Sequence, residues 1–225
     1  MTRASFHQSL ERIELDLLAQ GELAAAAVQR AVEALVTVDE PLALDVIEAD
    51  DAIDDLYLRI DHDVLHVLAL QSPVAADLRL VSAILHSCLH LERIGDQAVN
   101  VAKMFLATKD LPGSAVMRQQ LEEMGTLVVG MIRTSMESFA KRDLELCLRL
   151  PTMDDPVDRL NRATHLEALK LADDPGALDW GMHMNMAARA LERVGDNAVD
   201  IAEQVGFLLT GEFREFTDAS HGDTG

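Results

Sequence analysis

Hydrophobic residues recur at helical spacing along most of the chain. Near its start, Phe6, Leu10, Ile13 and Leu17 follow one another at steps of four, three and four, which places them on one face of an amphipathic helix. Turn signals containing Pro, Gly or Asp separate similar stretches further along. The pattern predicts six helices, over residues 4–36, 41–70, 74–108, 114–141, 143–172 and 177–210.

The composition and the helix breakers favour an all-α fold in two parts. Aromatic residues make up only 4% of the chain, which disfavours a sheet-rich fold. Pro151 and Pro156 fall inside the fifth predicted helix, and we expect them to kink or split it. The sequence predicts a first three-helix bundle at residues 1–108, a linker at 109–113, a second three-helix bundle at 114–210 and a flexible tail at 211–225.

The two halves of the chain carry an internal repeat. The stretch ERIGDQAVNVA, beginning at Glu92, recurs 100 residues later as ERVGDNAVDIA, with seven of eleven positions identical. A second stretch, ADDAIDDL from Ala49, recurs 104 residues later as MDDPVDRL. Because both stretches occur in the same order in each half, the repeat predicts tandem bundles related by pseudo-twofold symmetry.

Each copy of the repeat places oxygen-bearing side chains at positions i, i+4 and i+8 of a helix, on one face. These are Glu92, Asp96 and Asn100 in the first half and Glu192, Asp196 and Asp200 in the second. Like charges at this spacing disfavour a bare helix. Their presence in both halves therefore suggests that something positive lies between them.

Hairpin geometry brings further acids to the same places. When the second and third helices fold back about the turn near residue 72, Asp50 and Asp54 come within one helical turn of the first-half repeat acids. The turn near residue 174 does the same for Asp154 and Asp158 in the second half. Carboxylate clusters of this kind suit Mg²⁺, Ca²⁺, Mn²⁺ or ferric iron. The alternative is a solvated acidic face, partly neutralised by neighbouring arginines such as Arg93 and Arg193.

Other candidate metal ligands are weaker. The sequence has histidine pairs at i, i+4 spacing, His62 with His66 and His86 with His90, which can chelate zinc. The second half has no counterpart to them, so ordinary partly buried histidines are the favoured interpretation. His90 is the exception to follow, because it lies level with an acid of the first-half cluster.

The charge and the cysteines limit the possible functions. The formal net charge is −20, from 39 acidic and 19 basic residues, and this field would repel nucleic acid. The only cysteines, Cys88 and Cys147, lie in apolar helical patterns, as expected for free thiols in a reducing compartment. No apolar run reaches the length of a membrane helix. We therefore expect a cytoplasmic protein without direct membrane insertion, and no residue pattern indicates an enzyme.

With its two E-R-[IV]-G-D helices and the turn segment QSPVAADLR, the chain resembles the PhoU family, over about residues 4–210. The resemblance implies two similar three-helix bundles whose acidic motifs bind metal, as clusters of iron or zinc in some members. Magnesium and manganese also suit the donors. The implied ligands are Asp50, Asp54, Glu92, Asp96, Asn100, Asp154, Asp158, Glu192, Asp196 and Asp200.

The resemblance also implies a function. It is negative regulation of phosphate uptake and of phosphate-starvation signalling, through contact with the ATPase subunit of the phosphate ABC transporter and with a sensor histidine kinase. The residues do not fix the oligomeric state, for which we expect a homodimer. Pro156 and Arg159 depart from the first-half pattern, so we expect the second metal site to be weaker or absent.

Two other functions stay open at this point. A ferritin-like store or di-metal oxidase needs Glu-x-x-His on two helices. Here the residues three positions after Glu92 and Glu192 are Gly95 and Gly195, which disfavours that class. The other possibility is a helical adaptor without metal. We expect the two glycines to permit a close helix crossing, and access for a ligand is the less favoured reason.

Overall fold

The computed structural model describes residues 3–71 and 73–216, and within these residues the only regular secondary structure is helical. Ser72, at the predicted first-half turn, and residues 217–225 of the predicted tail lie outside the described residues. The helices are α1 (Arg3–Thr37), α2 (Glu40–Ala49), α3 (Asp51–Gln71), α4 (Ala76–Thr108), α5 (Ala115–Lys141), α6 (Leu144–Leu169) and α7 (Pro175–Thr210). The all-α prediction is thus confirmed.

Short polar side chains begin four of these helices. Asp39, Ser114, Asp143 and Asp174 each accept a hydrogen bond from an N–H group in the first turn of α2, α5, α6 and α7, respectively. Such caps satisfy donors that have no partner within a helix. At the other end of α7, Gly211 adopts a φ of 77°, the left-handed conformation that commonly ends a helix.

The helix predicted over residues 41–70 is interrupted, whereas the helix predicted to kink or split at its prolines is continuous. The first divides into α2 and α3 at Asp50, whose φ of −62° and ψ of −33° are still helical, so the two segments join at a bend and not through a loop. In contrast, α6 continues through Pro151 and Pro156. The helix is therefore not split at these prolines, and the alternative expectation of a kink stays a prediction.

Equivalent helices of the two halves pack on each other. In the first half, α1 and α4 pack together with the bent pair α2 and α3; in the second half, α5, α6 and α7 pack together. The halves meet where α4 contacts α7 and α1 contacts α5. Each contact pairs a helix with its counterpart, as two bundles related by a pseudo-twofold axis require.

Small residues let the helices at this junction approach closely. On α1, a side-chain carbon added to Gly21 would lie 2.8 Å from the side chain of Met136 on α5. On the facing helix α5, a side-chain carbon added to Gly125 would lie 2.8 Å from the methyl groups of Val32. Glycine at this position therefore permits the contact between the halves, and alanine would force Val32 to move.

Two further expectations from the sequence concern the cysteines and the presence of a membrane-spanning helix. Both free cysteines, Cys88 and Cys147, are buried. Burial raises the pKa of the Cys88 thiol to about 12, so this thiol is an inert part of the core. No helix within the described residues is both long enough and apolar enough to cross a membrane.

Candidate functional site

The first acidic cluster lies where the bend between α2 and α3 meets α4. Asp50 occupies the bend, and its carboxylate packs against Gly95: a side-chain carbon added to this glycine would lie 2.7 Å from Oδ1 of Asp50 and 3.0 Å from Ile53. The nearest atoms around Gly95 are thus side-chain atoms, foremost a carboxylate oxygen of the predicted site. The glycine provides the space in which this carboxylate lies against the helix.

The four predicted carboxylates of the first half influence each other's ionisation. The pKa of Asp50 is raised to about 6, first by burial and then by the negative charges of Asp54 and Asp96. Burial, followed by the charge of Asp96, also raises the pKa of both Asp54 and Glu92. Crowded carboxylates that resist ionisation gain most from a nearby cation.

The second acidic cluster has the same layout and is more deeply buried. A side-chain carbon added to Gly195 would lie 2.5 Å from Oδ1 of Asp154, which repeats the relation between Gly95 and Asp50. Asp154 and Glu192 are each only 8% exposed. The pKa of Glu192 is raised, first by burial and then by the charge of Asp196, with a smaller contribution from Asp158.

Arginines contact the second cluster but have no counterparts in the first. Arg189 forms an ion pair with Glu192, one turn away on α7. Arg162 lies 3.4 Å from Asp158, one turn away on α6. The corresponding first-half residues, 100 and 104 positions earlier, are Leu89 and Leu58. We expected Arg193 to neutralise part of this face, and it lowers the pKa of Glu192, but Arg189 lowers it more. The helical spacing of Arg189 from Glu192 was the better signal in the sequence.

The acids are gathered in each half but do not converge on one point. Within residues 3–71 and 73–216, no three His, Cys, Asp or Glu side chains stand where they could hold one metal ion together. Oε2 of the buried Glu192 has no hydrogen-bond partner among these residues. The donor chemistry suits a hard cation, and side-chain rotation is needed to bring three donors onto it.

The third residues of the two motifs have different surroundings. Asn100 donates a hydrogen bond to Gln97 on its own helix, at 3.4 Å. Asp200 lies 3.4 Å from Nδ1 of His90, a first-half residue. The same ring nitrogen lies 2.8 Å from Oδ1 of Asn197. His90, which we expected beside the first-half acids, therefore reaches across to α7.

A cleft of about 640 Å³ opens between the halves at this contact. His90, Asp154, Asp196, Asp200 and Glu203 contribute to its lining. Phe216 lines one side of the cleft, and its backbone N–H donates a hydrogen bond to Oε1 of Glu203 at 2.6 Å. The first residues of the predicted tail thus pack back onto α7, a contact that the polar sequence gave no reason to expect.

In the part of the chain that the structure describes, the two histidine pairs join no group of three potential metal ligands. His62 and His66 are exposed and stack with their ring centroids 6.4 Å apart. His86 is exposed, whereas His90, one turn further along α4, is largely buried in its contact with α7. The ring nitrogens of this second pair therefore face different surroundings.

A known family model matches both halves of the chain. The family model described as PhoU domain matches it twice, at residues 17–105 and 121–205. The chain belongs to the PhoU family. The two matches contain both copies of the acidic repeat, so the sequence-based resemblance is confirmed.

PhoU relatives match nearly the full length in sequence. A protein from Pseudomonas aeruginosa, named phosphate-specific transport system accessory protein PhoU homolog, is 35% identical over 217 residues, which cover 96% of this chain and 88% of that one. A protein of the same name from Caulobacter vibrioides is 31% identical and covers 94% and 92%, respectively.

Solved PhoU structures have the same architecture. The crystal structure of PhoU from P. aeruginosa superposes with a TM-score of 0.87 at 35% identity, covering 92% of this chain and all of that one. The structure of the phosphate transport system regulatory protein PhoU from Streptococcus pneumoniae gives 0.86 at 29% identity, covering 93% and 99%. The two-bundle fold is therefore the PhoU fold.

Proposed function

We propose that this protein is a non-enzymatic negative regulator of phosphate uptake and of the phosphate-starvation response. It acts by binding the ATPase subunit of the phosphate ABC transporter and a sensor histidine kinase on the cytoplasmic side of the membrane, and it does so as a homodimer. The observation that carries this proposal is the match along 96% of the chain to a relative named as an accessory protein of phosphate-specific transport.

We further propose that the acidic clusters bind metal ions, with iron, zinc, magnesium and manganese as the candidates. In the first half, Asp50, Asp54, Glu92 and Asp96 would hold the ion, and the crowding that raises the pKa of Asp50 to about 6 supports this. A bound cation would neutralise these charges and link the α2–α3 bend to α4. The proposed role is therefore to fix helix positions or to bridge to a partner.

In the second half, Asp154, Asp158, Glu192 and Asp196 would be the ligands, with Asp200 one turn further on. The ion pair between Arg189 and Glu192 already supplies part of the positive charge that this cluster needs. An incoming cation must displace that arginine, which supports a weaker second site. Asn100, at the first-half position that matches Asp200, offers only a neutral amide oxygen.

The metal-free adaptor is the second candidate function. The observation that favours it is that no three potential ligands converge among the described residues. As such an adaptor, the protein would keep the regulatory role but would bind no cation. The di-metal oxidase or store gains no support, because glycines occupy the positions three after Glu92 and Glu192.

The net charge of −20 constrains how partners are recognised. A basic surface on the partner would match it, and added salt would weaken the association, since exposed charges are screened beyond about 8 Å at physiological ionic strength. The faces that carry the acidic clusters are the proposed contact surfaces.

A genetic replacement in the host tests the regulatory role. Deleting the gene should raise phosphate uptake in phosphate-rich medium, and restoring the wild-type gene should lower it again. Unchanged uptake in the deletion strain would reject the proposal. Restoration by a gene encoding Glu92→Gln with Asp96→Asn, at equal protein level, would keep the regulator and favour the metal-free adaptor.

A pull-down tests the partners. The purified protein is tested against the ATPase subunit and against the sensor kinase, at low and high salt, with and without EDTA. Binding to at least one partner that weakens with salt is expected. Capture of neither protein under any condition would contradict the proposed partners, and binding indifferent to salt and chelator would remove the acidic faces from the interface.

A further inference from the structure

A basic groove runs between α6 and α7 of this acidic protein. Its volume is about 500 Å³, and its lining residues are Asn161, Arg162, His165, Leu166, Asn185 and Arg189. Two arginines, a histidine and two asparagines therefore line one concavity, in a chain that has about twice as many acids as bases. We infer that this groove, the α6–α7 groove, binds a phosphate-type oxyanion through Arg162 and Arg189.

The internal repeat provides a comparison within the same molecule. With the offsets of 104 for α6 and 100 for α7, the groove residues correspond to Tyr57, Leu58, Asp61, His62, Leu85 and Leu89. The first-half counterpart thus has leucines in place of both arginines and an acid in place of His165. The basic character is specific to the second half, so the shared fold and the shared acidic motif do not require it.

The side chains suit an oxyanion. Arginine presents a planar set of N–H donors that matches phosphate oxygens, often with two hydrogen bonds per guanidinium. Arg162 and Arg189 are 64% and 56% exposed, so their donors remain accessible from solvent. The amides of Asn161 and Asn185 add donors on opposite walls, one on α6 and one on α7.

Both arginines are now paired with acids of the second cluster. Arg162 lies 3.4 Å from Asp158, and Arg189 contacts Glu192. The pair of Arg162 with Asp158 is partly exposed, and pairs of this kind contribute little and exchange readily. Glu192 is largely buried, so the release of Arg189 requires another counter-charge for this carboxylate. An oxyanion in the groove therefore competes with Asp158 and Glu192 for the same guanidinium groups.

This competition couples the groove to metal, a step that rests on the proposed metal binding. A cation held by Asp158 and Glu192 replaces the arginines as their counter-charge. The released guanidinium groups can then turn to the anion. Metal and oxyanion consequently strengthen each other's binding, because linkage between two sites is reciprocal.

Titration with a small oxyanion tests the groove. Chelator-treated protein is titrated with inorganic phosphate by calorimetry, with and without saturating Mn²⁺, and a parallel titration uses ADP to distinguish free phosphate from a phosphoryl group on a small molecule. Arg162→Gln with Arg189→Gln should weaken binding of whichever ligand binds by about tenfold or more. Arg12→Gln with Arg59→Gln is the matched control, since it removes two exposed arginines that pair with first-half acids. It should leave the affinity unchanged.

A third variant tests anion binding in the groove independently of metal binding. Asp158→Asn with Glu192→Gln frees both arginines without a cation, so it should bind the oxyanion more tightly than wild type in the absence of Mn²⁺. Circular dichroism confirms that each variant remains folded. Tighter binding by this variant together with no effect of Mn²⁺ on wild type would support the groove and contradict the metal coupling.

Two outcomes would overturn the inference. One is the absence of binding by phosphate and ADP alike to wild type, with or without Mn²⁺. The other is binding that survives the loss of both arginines, which would assign the anion to a bound metal ion or to another surface. Neither outcome affects the proposed regulatory function, which the genetic replacement tests separately.

Discussion

Nδ1 of His90 lies 2.8 Å from Oδ1 of Asn197, so a first-half side chain is hydrogen-bonded to the helix that carries the second acidic motif. The amide group of Asn197 also donates to the backbone oxygen of Arg193, at 2.7 Å. With the amide nitrogen used in this way, Oδ1 must be the acceptor for His90. The imidazole therefore carries its proton on Nδ1 and donates it to α7.

This hydrogen bond predicts that His90→Ala weakens the junction between the halves. The substitution removes a largely buried donor and leaves the amide oxygen of Asn197 with one partner fewer. We expect the free energy of unfolding to fall by about 1–2 kcal/mol, measured by urea denaturation at pH 7. His86→Ala is the matched control, because His86 is exposed one turn earlier on α4. An equal loss in both variants would assign the effect to the helix and not to the contact with Asn197.

The arrangement within each half could be predicted by counting along a hairpin. The count from the turn near residue 72 placed Asp50 beside the first-half repeat, and in the structure its carboxylate packs against Gly95. The count from the turn near residue 174 placed Asp154 beside the second-half repeat, where its carboxylate packs against Gly195. A short turn fixes the register of two antiparallel helices, so sequence distance from the turn becomes position along the bundle.

Contacts between the halves could not be predicted in this way. Asn197 is 107 residues from His90, and no short turn sets how one bundle packs on the other. The ion pair of Glu192 with Arg189 was within reach of the sequence, since it depends only on a spacing of three along α7. The bend at Asp50 was not, because no proline or glycine stands at or beside this residue to indicate an interruption.

Gly95→Ala should separate stability from metal binding. Alanine favours a helix over glycine by about 1 kcal/mol, but its methyl carbon would lie 2.7 Å from Oδ1 of Asp50. We expect the displaced carboxylate to offset most of this gain and to lower the amount of bound metal, measured by elemental analysis of protein purified without chelator.

Gly130→Ala is the matched control for Gly95→Ala. A side-chain carbon added at Gly130, within α5, would meet no atom within 4 Å. This variant should gain about 1 kcal/mol of stability and keep its metal. If Gly95→Ala retained the wild-type metal content, the carboxylate of Asp50 would not be a ligand.

The raised pKa of Asp50 predicts how stability depends on pH. Because this pKa is about 6 in the folded protein and about 3.8 in a model peptide, the folded chain binds the proton more tightly. The resulting stability is fully present below pH 3.8 and is lost as pH rises through about 6. In EDTA, Asp50→Asn should therefore raise the free energy of unfolding by about 1 kcal/mol at pH 7, after allowance for screening by solvent. It should have little effect at pH 4.

The control for Asp50→Asn is Glu123→Gln, which removes one exposed negative charge from α5. Its effect should be smaller at pH 7. The measurement is urea denaturation at both pH values. A destabilisation by Asp50→Asn at pH 7 would mean that the ionised carboxylate makes favourable contacts that outweigh its burial and the neighbouring acids.

The two halves should differ in the amount of metal that they bind. Glu92→Gln with Asp96→Asn neutralises the first cluster, and Glu192→Gln with Asp196→Asn makes the matched change in the second. Elemental analysis should show the larger loss of metal in the first-half variant, because Arg189 and Arg162 already neutralise part of the second cluster. Glu122→Gln with Glu123→Gln, two exposed acids of α5, controls for the change in net charge.

An equal or larger loss in the second-half variant would mean that the deeper burial of Asp154 and Glu192, each 8% exposed, outweighs the competing arginines. In that case Arg189 would be displaced whenever metal is present, and its guanidinium group would be available to the α6–α7 groove.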